Sequence, residues 1–342
     1  MPTNIGIQQE PCSDTTLDII AQGRNLIDSG LKSKLWNTEE ALQKRAYRKC
    51  YSVLLHTQLA GLGGERQLYY FNCLRCADYI EQCEDGRLRS HYCNGRLCSI
   101  CQAIRTAKAI SQYLPLILSF ADPCSLTLTR RTVTGENLRS TIRQMEVEFR
   151  RIRDIARKKY NFDCLRKTEV TYNRESGLYH PHFHIIVDGK DVASFVLEQW
   201  LKRHKTSAHR NAQEMESVEA GNTKAIQKLF GYVTKLVTHI EGKSFLVPVE
   251  CLDVIVSALY NKRALQPYGR LIQAGRETEE VDDADSVAYE APHASTIGNG
   301  ILGKWEQDAE TWVDQRTGEF LVEPLRGKNV RPQQPIPTTI WD

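Results

Sequence analysis

The sequence predicts an α+β protein in which a cysteine-rich metal module precedes a strand-bearing domain. Three observations point there. Short segments with strand character, at 124–129, 166–172 and 179–187, are interleaved with amphipathic helical stretches. Six of the eleven cysteines fall between Cys73 and Cys101. Three of the nine histidines stand on alternate residues in Tyr179-His180-Pro181-His182-Phe183-His184-Ile185-Ile186-Val187. Alternate side chains of a strand share a face, so His180, His182 and His184 form one row while Phe183 and Ile185 turn the other way into a core. Their Cα atoms are then roughly 6–7 Å apart at each step, a gap that one divalent ion bridges with the rings tilted inward.

Length and composition set the frame. The chain has 342 residues, 41% hydrophobic and 25% charged, ample for a core and suggestive of two domains with a tail. There is no run of 18 apolar residues, and Met1–Glu10 lacks a basic-then-apolar leader, so a cytoplasmic protein with no membrane partner is expected. The formal net charge of +3 hides an asymmetry: residues 101–243 carry about nine excess positive charges and residues 271–342 about eight excess negative ones. The basic half contains the histidine row, which suits a polyanionic partner.

Taken in order, residues 1–30 read as a poorly ordered arm. After Thr38, a plausible N-cap, a helix begins with Leu42, Ala46, Cys50, Val53 and Leu54 at helical spacing. Gly61-Leu62-Gly63-Gly64 breaks it. Two Cys-x-x-Cys pairs follow, Cys73/Cys76 and Cys98/Cys101, with 21 residues between them. Clustered cysteines in a reducing compartment favour metal over disulfides, and two such knuckles offer four thiolates to a tetrahedral Zn²⁺. Cys93 and Cys83 are spare candidates, so the set of four is not unique; the spacing gives an iron–sulfur cluster no support. Gln102–Ile110 reads as a short helix.

Cys124–Thr129 alternates apolar and small polar residues as a half-buried strand. From Asn137 to about Tyr160 an amphipathic helix buries Leu138, Ile142, Met145, Phe149, Ile152 and Ala156, leaving Arg143, Arg150, Arg153, Arg157 and Lys158 as a basic outer face, either solvated surface or a contact for DNA phosphates. Residues 166–172 form the next strand, and Asn173–Gly177 is a turn by composition. Folding the hairpin about 174–176 sets Glu169 opposite 181–182, which makes Glu169 the best third metal ligand. Helices are expected over Asp191–His204, Lys224–His239 and 246–263, with short strands at Met215–Ala220 and within Arg263–Ile272. Tyr232 and Lys235 lie three apart on one helix face. Six acidic residues between Glu277 and Asp285 mark a solvated linker, and Trp305, Trp312 and Trp341 sit in a sparsely patterned tail.

Three segments in this order, Ser125-Leu-Thr-Leu-Thr129, His180-Pro-His-Phe-His184 and Tyr232-Val-Thr-Lys235, resemble the motifs of rolling-circle plasmid replication initiators within the His-hydrophobic-His (HUH) endonuclease superfamily. Glu169-Val-Thr-Tyr-Asn173 and Cys93-x4-Cys98-x2-Cys101 add to the likeness, which covers about residues 73–275. The resemblance implies a five-stranded antiparallel HUH-endonuclease sheet packed with helices and preceded by a zinc-binding module. The chain is then expected to divide into an N-terminal arm and helix (1–60), the cysteine module (61–110), a nicking domain (111–275) and an acidic, partly disordered tail (276–342), of which the arm and the tail lie outside the resemblance.

Carried over residue by residue, His182 and His184 are metal ligands, Glu169 the third, and His180 an alternative ligand or a neighbour that supports them. Tyr232 is the nucleophile and Lys235 its charged companion. The implied cofactors are Mg²⁺ or Mn²⁺ at the nicking site and structural Zn²⁺ at the cysteines. The implied partners are single-stranded or supercoiled plasmid origin DNA, a host helicase and a polymerase, with a homodimer compatible. Where the family often has a glutamate four residues before the tyrosine, this chain has Lys228; Glu216 and Glu219 are the replacements to consider. Two alternatives stand beside nicking at a replication origin: a transposase or relaxase using the same chemistry, and a zinc-dependent DNA-binding regulator without catalysis.

Overall fold

In the computed structural model, residues 39–82, 88–219, 226, 230, 237–240, 243–275 and 301–325 are described. The expectations for the N-terminal arm and for the acidic run lie outside these residues, as do Cys83, Lys228, Tyr232, Lys235 and Trp341.

Helix α1 (Glu39–Gly61) and helix α2 (Gln67–Leu74) open the fold and lead into strands β1 (Tyr79–Gln82) and β2 (Leu88–Ser90). The buried face of α1 departs from the expected stripe. Leu54 is 41% exposed, and the inward face runs instead through Leu42, Ala46, Lys49, Ser52, Leu55, His56 and Leu59. Polar members hide its period. Lys49 is 1% exposed and gives its ammonium protons to the carbonyls of Leu74 and Cys76 (2.7 Å each) and to Asp78 (2.6 Å). A buried charge is tolerated only when so fully hydrogen-bonded, and these bonds pin the chain around Cys76.

The chain then enters helix α3 (Ser99–Leu118), about twice as long as the short helix expected, with Pro115 accommodated in its last turn. Next come strand β3 (Pro123–Thr129), helix α4 (Gly135–Ala156), strands β4 (Cys164–Asn173) and β5 (Leu178–Asp188), helix α5 (Lys190–Arg203) and strand β6 (Glu214–Ser217). Strands β7 (Val237–Ile240) and β8 (Lys243–Leu246) form a separate hairpin, followed by helix α6 (Val249–Leu259), strand β9 (Leu265–Tyr268) and helix α7 (Leu271–Gly275). Residues 226 and 230 are helical as expected, but 237–239 are not: Val237-Thr-His-Ile240 is rich in β-branched residues and pairs with β8 across a two-residue Glu-Gly connection. For the same reason residue 246 ends a strand instead of starting a helix.

The central sheet has five antiparallel strands in the order β6-β3-β5-β4-β9. The long hairpin β4–β5 sets Glu169 opposite His182. One sheet face carries Cys124, Leu126, Leu128, Cys164, Phe183, Ile185 and Val187, covered by Met145, Phe149 and Ile152 of α4 and by Val196 and Trp200 of α5. Phe149 meets Phe183 edge-on at 5.8 Å. The opposite face carries Leu165 and Ile186, covered by Leu114 and Ile117 of α3 together with Ile226 and Phe230. Next to this cover, on the same face, lies the histidine row.

A second sheet has the order β11-β10-β1-β2, in which strands β10 (Ile301–Glu306) and β11 (Thr311–Asp314) join the cysteine module. The segment read as a sparsely patterned tail is therefore folded over 301–325. Trp312 donates its indole proton to the Ala77 carbonyl (2.9 Å), and Trp305 packs on Trp312 at 4.8 Å. The strands are only six and four residues long; β10 pairs with β1, more than 200 residues away, and β11 pairs with β10, so local periodicity could not reveal the sheet they join. No helix among the described residues is long and apolar enough to cross a membrane.

Candidate metal centre

Glu169, His182 and His184 converge on the open part of the second sheet face. Strand alternation brings both imidazoles to that side, and the hairpin register brings the carboxylate across. Glu169 Oε2 lies 3.2 Å from Nε2 of His182 and 3.2 Å from Nε2 of His184. Glu169 and His182 are buried, while the His184 side chain is 32% exposed, so the site opens to solvent on one side.

The proton positions test whether a cation fits here. His182 Nδ1 is 3.0 Å from the carbonyl oxygen of His180, which only accepts, so Nδ1 bears the proton. In the neutral ring, Nε2 then directs a lone pair at the Glu169 carboxylate. That contact is unfavourable unless a positive charge lies between the two atoms. Ligand atoms about 2.1 Å from one ion are separated by about 3.0–3.4 Å, which matches the 3.2 Å spacings. The donor set of two imidazoles and one carboxylate suits a divalent cation.

Neighbours hold each of the three ligands. Lys167, 2% exposed, ion-pairs with the other oxygen of Glu169. Burial alone would raise the Glu169 pKa, but the Lys167 charge, and after it the two histidines, hold it well below the usual carboxylate range. His184 Nδ1 lies 3.3 Å from Thr127 Oγ1. His180 stacks on His182 with ring centroids 5.3 Å apart but stands outside the group of three; burial, then His182, push its pKa down to about 4. Sequence reasoning passed over Lys167 and Thr127. Both were visible as residues at even offsets from Glu169 and within Ser125–Thr129, on the strand face that the histidine row defines.

The second cluster consists of Cys76, Cys93, Cys98 and Cys101, all fully buried, with every sulfur within 4.8 Å of the others. The Sγ atoms of Cys76 and Cys101 are 3.5 Å apart and those of Cys93 and Cys101 3.7 Å, close to the edge of about 3.8 Å of a tetrahedron with 2.3 Å Zn–S bonds. Cys98 caps the N-terminus of α3, where the helix dipole favours thiolates. The Gly95 amide donates to Cys93 Sγ at 3.2 Å. A side chain on Gly95 would collide with Cys73 and press on Cys93. Three of the four expected cysteines are in this group, with Cys93, the alternative, as the fourth. Cys73 stands beside Cys93 and His56 instead. It is part of α2, whereas Cys76 follows the helix end, so the two sulfurs do not form one knuckle.

The remaining site residues are placed less centrally. Arg150, Arg153, Arg157 and Lys158 belong to α4 or its C-terminal end, on the layer that covers the other sheet face, away from the metal trio. Arg153 pairs with Asp154 at 2.6 Å. Glu216 pairs with Ser125 across β6 and β3, and Glu219 lies just beyond β6. Tyr232 and Lys235 are not among the described residues, but Phe230 is. It stacks on Tyr113 of α3 at 6.4 Å, on the face that carries the histidine row.

With this geometry established, the model of the Rep_1 family, described as "Replication protein", is found to match residues 87–313. The chain belongs to this Rep family. A curated "Protein rep" of Streptococcus pneumoniae is 34% identical over 260 residues, covering 69% of this chain and 80% of the relative. Proteins of the same name from a Bacillus species and from Bacillus amyloliquefaciens are each 35% identical, and the matches span 41% and 45% of their lengths, less than half. No solved structure matches significantly. The matched span of this Rep family member takes in Cys93, Cys98 and Cys101, the whole five-stranded sheet and the β10 strand.

Proposed function

We propose that the chain initiates rolling-circle replication of a plasmid by nicking single-stranded origin DNA and rejoining it through a 5′-phosphotyrosine at Tyr232. The observation that carries this reading is the convergence of Glu169 Oε2 with two imidazole Nε2 atoms at 3.2 Å on an open sheet face. Membership of a replication-protein family supports it.

Glu169, His182 and His184 would hold Mg²⁺ or Mn²⁺, which supplies charge stabilisation to the non-bridging oxygens of the scissile phosphate. Lys167 keeps the Glu169 carboxylate ionised and fixed in place. Tyr232 Oη loses its proton and attacks phosphorus in line; the bond from phosphorus to the 3′ oxygen breaks, and that oxygen takes a proton to become a 3′-OH. Lys235 offers a positive charge to the phenolate or to the phosphate. The new phosphotyrosine bond conserves the energy of the broken one, so attack by a 3′-OH rejoins the strand without a nucleotide cofactor.

The four-cysteine cluster would hold a structural Zn²⁺, joining the segment between α2 and β1 to the loop before α3 and to the start of α3. Arg150, Arg153, Arg157 and Lys158 would meet phosphates of flanking DNA rather than the scissile strand, since they lie across the sheet from the metal trio.

The test is to incubate the protein with labelled single-stranded oligonucleotides tiling the origin of its plasmid, with Mn²⁺. A denaturation-resistant adduct is expected with the wild type and none with Tyr232→Phe or without Mn²⁺. Absence of the adduct in the wild type, or an undiminished one in Tyr232→Phe, would overturn the nicking assignment.

A further inference from the structure

Four strands align four polar side chains in one transverse row on the metal-bearing face. Thr127 pairs with Glu214 on one side and His184 on the other, and His184 pairs with Lys167. Within the row, Thr127 Oγ1 lies 3.3 Å from His184 Nδ1 and 3.2 Å from Glu214 Oε2. We propose that Thr127 and Glu214 are positioning residues of the metal centre, and that together they fix His184 in the tautomer whose Nε2 can ligate. The inference rests on reading Glu169, His182 and His184 as a divalent-metal site.

A hydroxyl donates once and accepts twice, so Thr127 alone could serve either tautomer of His184. It accepts if Nδ1 carries the proton and donates if Nδ1 does not. A carboxylate only accepts. With Glu214 taking the hydroxyl proton, Thr127 has nothing left to give, and its oxygen can only accept from Nδ1–H. The chain of bonds then has one direction, from His184 Nδ1–H to Thr127 and from the Thr127 hydroxyl to Glu214. The lone pair of His184 is left on Nε2, facing the position between Nε2 and Glu169 Oε2.

The need for this device is local. Lys167 secures Glu169, and a main-chain carbonyl that cannot reverse its polarity secures His182. His184 has the most exposed side chain of the three and has neither kind of neighbour at Nδ1; its partner is a rotatable hydroxyl, which a one-way acceptor makes directional. Partners behind metal-bound histidines are worth roughly 10–100-fold in metal affinity.

The experiment measures Mn²⁺ affinity of the DNA-free protein by calorimetry, and the His184 tautomer by ¹⁵N NMR of the metal-free protein. Thr127→Val keeps the shape and removes the hydroxyl; it should weaken Mn²⁺ binding by at least tenfold and let the tautomer with the proton on Nε2 appear. Thr127→Ser should restore both values. Glu214→Gln, whose amide can donate to the hydroxyl, should also weaken binding and mix the tautomers, whereas Glu214→Asp should stay closer to wild type. Circular dichroism confirms that the variants fold. Wild-type affinity and an unchanged tautomer in Thr127→Val and Glu214→Gln, with binding lost in His184→Ala, would overturn the proposal while leaving the metal site standing. Failure of the wild type to bind Mn²⁺ would remove the metal reading itself, and the proposal with it.

Discussion

At the scale of single residues, chemistry in this protein is set by what stands behind a side chain. His204 illustrates it away from the metal centre. It caps the C-terminal end of α5, packs against Trp200 with tilted rings 4.1 Å apart and is 5% exposed. Burial, then the positive charge of Arg130, outweigh the pull of Glu148 and push its pKa down to about 4, against about 6.5 in the unfolded chain. Between those values the unfolded chain takes up a proton that the folded one refuses, so His204 makes stability fall as pH drops from about 6.5 toward about 4. His204→Gln should flatten that part of the dependence: the loss of urea midpoint between pH 7 and pH 5 should be smaller in the variant than in the wild type, and an equal loss would contradict the assignment. The same scale explains what the sequence hid. His180, His182, His184 and Glu169 were readable because alternation and a hairpin turn place them. Lys167 shares the face of Glu169 by alternation and was passed over; Glu214 was not singled out, because a lone charge in a strand has no local mark and its role appears only when the strand beside it is known.

At the scale of elements, the strands that carry the site and the helices that cover it followed from periodicity, and the failures have a common physical form. Periodicity sees the spacing within one element and misses the partner, near or distant, that decides its form. α1 buries Lys49 because distant carbonyls and Asp78 satisfy it, and His56 against the Ser52 carbonyl one turn back, so its face does not read as apolar. Val237–Ile240 pairs as a hairpin where a helical pattern had continued into it. The cysteine module shows the same limit. Two Cys-x-x-Cys pairs suggested two knuckles, but Cys73 is held within α2 and Cys93 arrives from the loop before α3. Zinc analysis should find close to one ion per chain, retained in Cys73→Ser and lost in Cys93→Ser or Cys98→Ser. Retention in Cys98→Ser, or loss in Cys73→Ser alone, would assign the ligands differently.

At the scale of the whole molecule, the five-stranded sheet separates two environments. One face is closed by α4 and α5 over an aromatic and aliphatic core; the other is closed only in part, by α3 with Ile226 and Phe230, and leaves the metal trio accessible. The second sheet ties residues 301–314 back to the cysteine module, so the two ends of the described chain stabilise the same unit. The central claim is that Glu169, His182 and His184 together hold one divalent cation. Pulsed electron paramagnetic resonance of Mn²⁺ bound to the full chain tests it most directly. The account predicts hyperfine coupling to two imidazole nitrogens in the wild type, reduced to one in His184→Ala. A bound Mn²⁺ with no imidazole coupling, or with coupling unchanged in that variant, would contradict it.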